Sequence, residues 1–98
     1  MNPHPRLELD QRIHSPVRFS LLSLLCSVDE IEFGSARDVL GVSDSTLSQA
    51  VTVLERAGFA KSSRRRALAP GRVWLAATKA GDLALRKHMK IMHQISGL

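Results

Sequence analysis

Val-Ser-Asp-Ser-Thr-Leu-Ser-Gln-Ala-Val-Thr-Val-Leu-Glu-Arg-Ala-Gly, residues 42–58, is the stretch whose reading decides the fold. Ser43 is a helix cap, and the spacing predicts a helix from Asp44 to about Ala57 that Gly58 ends. At about 100° per residue, Leu47, Val51 and Leu54 fall on one side, with Ala50 and Ala57 beside them. That side is core. Ser45, Gln49, Thr52 and Arg56 form a narrow stripe opposite, and Ser48 adjoins it.

Immediately upstream, Ser35 and Asp38 stand three apart before Val39 and Leu40, a start resembling a capping box, and Gly41 supplies a left-handed stop. Two helices joined by so tight a glycine turn make a helix-turn-helix signature. Before them, Glu30 to Phe33 alternates and predicts a short edge strand that pairs with a later hairpin. Ser15-Pro16 is a cap followed by a first-turn proline, and it opens a helix over the apolar stretch Val17 to Val28.

Downstream of Gly58, Phe59 to Arg64 and Val73 to Ala77 read as two strands. Between them the basic segment Arg65 to Arg72 contains Pro70-Gly71 and forms a cationic hairpin tip. Thr78 caps a final helix to about Ile95, although Gly81 in its first turn costs roughly 1 kcal/mol against alanine. The order is α-β-α-α-β-β-α: a mainly helical α+β chain with a small β-hairpin wing, a winged helix-turn-helix. Residues 1–12 read as a lead-in that can act as a dimer arm, 13–78 as the winged helix and 79–98 as a helix for dimerisation.

With 98 residues, the chain has core for one domain and not two. Its 14 Lys and Arg against 9 Asp and Glu favour a polyanionic partner. The only cysteine, Cys26, forbids an internal disulfide and suits a reducing, cytoplasmic compartment. It sits in an apolar helix and reads as a small core residue before a redox sensor. Residues 1–10 lack the apolar run of a signal peptide, and no stretch is long enough to span a bilayer, so no membrane partner is expected. Enzymatic constellations are absent: His88 and His93 lie on different faces of one helix, and no Cys pair, His-x-x-x-His or phosphate-cradling glycine loop occurs. Neither a metal, a cofactor nor an enzymatic activity is expected.

The polar stripe is short enough to enter a major groove, where Gln49 can address adenine and the hydroxyls can reach base edges or phosphates. Ser43, Ser45, Thr46, Ser48, Gln49 and Thr52 are therefore the expected DNA contacts of the helix. Arg64, Arg65, Arg66 and Arg72 are those of the wing, on the backbone or in a minor groove. Trp74 reads as an anchor for the wing before a stacking platform. On the last helix Ala80, Ala84, Leu85, His88, Met89, Ile91, Met92 and Ile95 cover about half the circumference, wider than one seam needs. The width reads as two seams, one inward and one to a second copy, before a helix sunk deeply into its own domain, with Leu85, Met89, Met92 and Ile95, joined by Leu7 and Leu9, as the dimer residues.

The chain resembles the winged-helix transcriptional regulators, within them the small single-domain family related to the MarR group. Ile13 to Ser20, Glu32-Phe33-Gly34, Val42 to Ser48 and Leu54 to Phe59 carry the resemblance. It implies that Ser45 to Thr52 lie in the major groove of double-stranded DNA, that the hairpin is a wing, and that the terminal helices make a homodimer. The wing departs from the family: Ala67 to Pro70 separates the triple arginine from Gly71-Arg72, and the Asp-x-Arg of many MarR proteins is missing. A small-molecule effector is left unspecified. The alternative class is a winged helix that only associates with an acidic protein.

Overall fold

The computed structural model describes residues 3–64 and 71–98. Ser15 caps α1 (Pro16–Cys26), its side chain accepting the Arg18 amide, and Pro16 sits where a missing N–H costs nothing. The helix stops two residues short of the expected Val28. Ser27 donates its hydroxyl to the Leu24 carbonyl at 2.7 Å, a local bond that competes with the helical ladder. Leu21, Leu22 and Leu25 face the core.

A two-residue strand, β1 (Ile31–Glu32), leads directly into α2 (Phe33–Leu40). Here the expected boundaries shift. Phe33 belongs to the helix, Ser35 lies inside it, and the cap is Glu32, whose carboxylate accepts the Ser35 amide at 3.0 Å. A carboxylate satisfies the same orphan donor as a hydroxyl and is further favoured by the positive end of the helix dipole. Accordingly, the Ser35 amide bond above all holds the Glu32 carboxyl below its usual range. Gly41 ends α2 at φ 66°, a left-handed turn that few other residues adopt without strain. Then comes α3 (Asp44–Arg56), capped by Ser43.

The strands β2 (Ala60–Arg64) and β3 (Val73–Ala77) form an antiparallel pair, Ala60 opposite Ala77 and Arg64 opposite Val73. Ile31 and Glu32 of β1 pair with Leu75 and Trp74 on the other edge of β3, so the sheet order is β1-β3-β2. Phe59 falls just outside the strand that was expected to include it and is buried. One core gathers Ile13, Leu21, Leu22, Leu25, Ala36, Leu47, Leu54 and Leu75 from five parts of the chain.

The segment before α1 is more structured than a lead-in. His4 caps a 3-10 turn, Pro5–Glu8, that packs on the last helix, and Ile13 is fully buried. Arg18 donates to the carbonyls of Arg12 and Gln11 at 2.7 and 2.8 Å, tying the segment to α1. Leu7 is exposed and Leu9 half-buried.

Thr78 caps α4 (Lys79–Ser96) and stitches its start to the end of the helix-turn-helix. Its amide donates to the Phe59 carbonyl and its hydroxyl to that of Gly58 at 2.6 Å. Gly81 then faces the Phe59 carbonyl. A Cβ there would collide with the carbonyl oxygen and stand 2.9 Å from the carbon, which explains a glycine that helix propensity alone disfavours. The broad apolar arc divides in two. His88 and Ile91 are buried, Ala84 and Leu85 half-buried, and Ala80, Met89, Met92 and Ile95 exposed. Leu83, which the arc did not include, is exposed as well.

Candidate nucleic-acid interface

Burial of Leu47, Ala50, Val51 and Leu54 fixes the rotation of α3. The opposite side then presents Ser45, Ser48, Gln49, Thr52 and Arg56, all exposed, along one shallow surface. The hydroxyls are not equally available. Ser43 Oγ accepts the Thr46 amide at 3.1 Å and lies 3.0 Å from Thr46 Oγ1 and 3.2 Å from Ser45 Oγ. Thr52 donates to the Ser48 carbonyl at 2.9 Å. Gln49 has the one amide side chain of the stripe, with two donors and an acceptor to offer a base edge.

Arg64 ends β2, and Arg72 stands exposed just before β3. Arg65 and Arg66 lie outside the described residues. Trp74 is half-buried on the central strand, opposite Glu32 on one side and Ser63 on the other. It therefore stands within the sheet at the root of the hairpin.

Two side-chain bridges that the sequence reading did not single out brace this surface. Arg37 of α2 reaches Asp44 at the start of α3 at 2.8 Å and also Asp38 at 3.0 Å. The Asp44 bond first, then Asp38, raise the Arg37 pKa above its ordinary value. On an exposed surface such a pair is worth little in stability; it links α2 to the first turn of α3. At the other end of α3, Ser62 of β2 donates to Glu55 at 3.0 Å, which ties helix to wing. Spacing gives no sign of either bridge, since each joins residues seven apart across a turn.

The other candidate chemistries find little. Cys26 is half-buried, and burial pushes its thiol up, away from the reactive thiolate. Among the described residues no group of three His, Cys, Asp or Glu side chains is placed to hold a metal ion. No described helix is long and apolar enough to cross a membrane.

A family model described as a winged helix DNA-binding domain matches residues 17–96. No curated protein matches the sequence. Among solved structures, the fold is shared with a transcriptional regulator homologue from Pyrococcus horikoshii OT3, at 22% identity over 90% of this chain and 87% of that one, with a TM-score of 0.85. PcaV, a transcriptional regulator from Streptomyces coelicolor solved with its natural ligand, gives 19% identity over 93% of this chain and a TM-score of 0.78. The match spans 63% of the PcaV chain. BpsR from Bordetella bronchiseptica, whose DNA binding is regulated by 6-hydroxynicotinic acid, gives 13% identity over 94% of this chain and 69% of its own, with a TM-score of 0.75.

Proposed function

Because this chain belongs to the winged helix DNA-binding domain family, we propose that it is a transcriptional regulator that reads double-stranded DNA as a homodimer, with α3 in the major groove and the wing on the backbone or in the minor groove. The observation that carries this reading is the exposed stripe of short hydroxyl and amide side chains on α3, directly opposite its buried side. Ser43, Ser45, Thr46, Ser48, Gln49 and Thr52 make the helix contacts, and Arg64, Arg65, Arg66 and Arg72 those of the wing. Residues 13–78 are the reading unit. Residues 79–98 hold the pair through Leu85, Met89, Met92 and Ile95, and residues 1–12 assist through Leu7 and Leu9. The natural ligand of PcaV and the 6-hydroxynicotinic acid that regulates DNA binding by BpsR support a small-molecule input here as well.

Duplex binding followed against ionic strength tests the reading. Phosphate contact makes affinity fall steeply with salt. A chain indifferent to any duplex at low salt returns the alternative, a winged helix that docks an acidic protein.

Gln49→Ala is expected to lower discrimination between the best site and random duplex by roughly 1 to 3 kcal/mol, the worth of a bidentate base contact. Competition binding reads it. Equal losses on both duplexes assign Gln49 to the backbone instead.

Replacing Arg65, Arg66 and Arg72 together by alanine is expected to weaken binding to every duplex alike. The slope of log affinity against log salt flattens by about 0.9 for each phosphate that the wing no longer neutralises. An unchanged slope means the wing stands clear of DNA.

A further inference from the structure

His88 is a buried polar side chain, 2% exposed. Its Nε2 lies 3.3 Å from Nδ1 of His14, in the segment before α1, and the two rings are 5.4 Å apart. Phe19 of α1 packs against the same ring at 5.8 Å. His88 Nδ1 is buried with no hydrogen-bond partner among the described residues.

The surroundings define what this pair can accept. On one side His14, Pro16, Phe19, His88 and Met92 line a largely apolar cavity of about 270 Å³. On the other, a gap of about 90 Å³ is rimmed by Glu8 and Asp10 from the N-terminal segment and by Lys87 from α4 itself. The Asp10 carboxylate is taken by Arg12 at 2.8 Å, a bond that keeps its pKa below the usual carboxylate value. No third metal-ligating group joins the two imidazoles among the described residues. A proton is the ligand that two imidazoles alone take.

Hydrogen bonding between the rings requires one N–H and one lone pair. If His14 were the donor, His88 would carry its own proton on Nδ1, a buried N–H with no acceptor, which is costly. His88 therefore donates from Nε2, and His14 accepts at Nδ1. This arrangement has no place for another proton. On His88 it would go to the buried Nδ1; on His14 it would go to Nδ1, against the Nε2–H of His88.

We propose that the His14–His88 pair is a proton-operated latch, which holds the segment before α1 against α4 while the pair shares a single hydrogen-bonding proton and releases it when the pair gains a further one. Burial, then the charge of His14, push the His88 pKa below its ordinary 6.5, and Asp10 opposes them weakly. A folded-state pKa lowered in this way makes the closed state fully favoured above about 6.5 and progressively less so as pH falls toward the closed-state value. Met92 shares the cavity wall, so release also alters the surroundings of that side chain on α4. The latch is independent of whether the chain binds DNA.

Amide hydrogen exchange of the full chain, followed by NMR between pH 7.5 and 5.5 and corrected for intrinsic rates, reads the latch. The reporters are the amides of Leu9, bonded to the Arg6 carbonyl, and His14, bonded to that of Asp10; Leu47, bonded to Ser43, reports the core. Leu9 and His14 are expected to be at least tenfold less protected than Leu47 throughout. Below pH 6.5 their protection is expected to fall about tenfold per pH unit, the signature of one proton taken up on opening. In His88→Phe and in His14→Asn this dependence disappears. His14 is exposed, so His14→Asn decides alone if His88→Phe does not fold. A flat profile in the native chain, a fall that survives in His14→Asn, or protection of Leu9 and His14 that tracks Leu47 at every pH overturns the proposal.

Discussion

Met89→Asp combined with Met92→Asp is expected to give a folded monomer whose affinity for its best duplex drops by about 100-fold or more, the usual loss when linked sites must each bind alone. Both methionines lie on the solvent side of α4, 37% and 38% exposed, so the carboxylates meet water and the domain keeps its core. In a pair, the same positions place four charges in an apolar seam, and no partner is at hand to compensate them. A single winged helix puts one short recognition helix in one groove, too few base contacts for selective binding at cellular salt. A two-fold pair doubles them and reads half-sites about 10 base pairs apart, or a multiple of that, in a near-palindrome. Sedimentation at micromolar concentration gives the assembly state, and a thermal melt verifies the fold. If the native chain sediments as a monomer, free and on its best site, the exposed side of α4 holds no partner.

Gly81→Ala is the substitution with the largest expected effect on stability, and its sign opposes helix propensity. Alanine in a helix gains about 1 kcal/mol over glycine. Here the added methyl would meet the Phe59 carbonyl, which already accepts the Thr78 amide at 3.0 Å. Neither group turns aside easily, because both are backbone: Gly81 sits in the capped first turn of α4, and the Phe59 carbonyl, between α3 and β2, is held by the Thr78 amide. Overpacking of this kind costs about 3 kcal/mol, or roughly 10 to 20 °C in Tm for a chain of this size. Urea unfolding of the two chains compares them directly. An alanine variant as stable as the native protein would mean that α4 can shift away from Phe59 at little expense.

What the sequence made legible was whatever depends on local period and on caps. The 3.6-residue pattern of Leu47, Ala50, Val51 and Leu54 placed α3 and its rotation, Ser43 and Thr78 marked two helix starts, and Gly41 marked the turn. The expected pairing of Glu30 to Phe33 with the hairpin is met by Ile31 and Glu32, but nothing in the pattern said that β3 rather than β2 is the partner. Caps by an unusual residue were harder to see. Glu32 took the place assigned to Ser35 because a carboxylate can do a hydroxyl's work there. Contacts between distant segments left no periodic trace at all: His14 and His88, 74 positions apart, or Gly81 against Phe59. At the interface, sequence pattern selects which side chains face outward. It does not disclose that Ser43, Ser45 and Thr46 share one hydrogen-bonded cluster, or that Arg37 and Glu55 brace the two ends of α3.

The sheet order β1-β3-β2 bears on how the chain is made. Both outer strands find their partner only in β3, at residues 73–77, which is synthesised after both of them. A nascent chain that has emerged only as far as Arg64 holds two strands that share no ladder, and Leu75 is still missing from the core. Its helices can form, but the sheet cannot close around them until β3 clears the ribosome. Of two fragments divided between Arg64 and Val73, the first therefore carries β1 and β2 and the second β3 alone, and neither is expected to fold without the other.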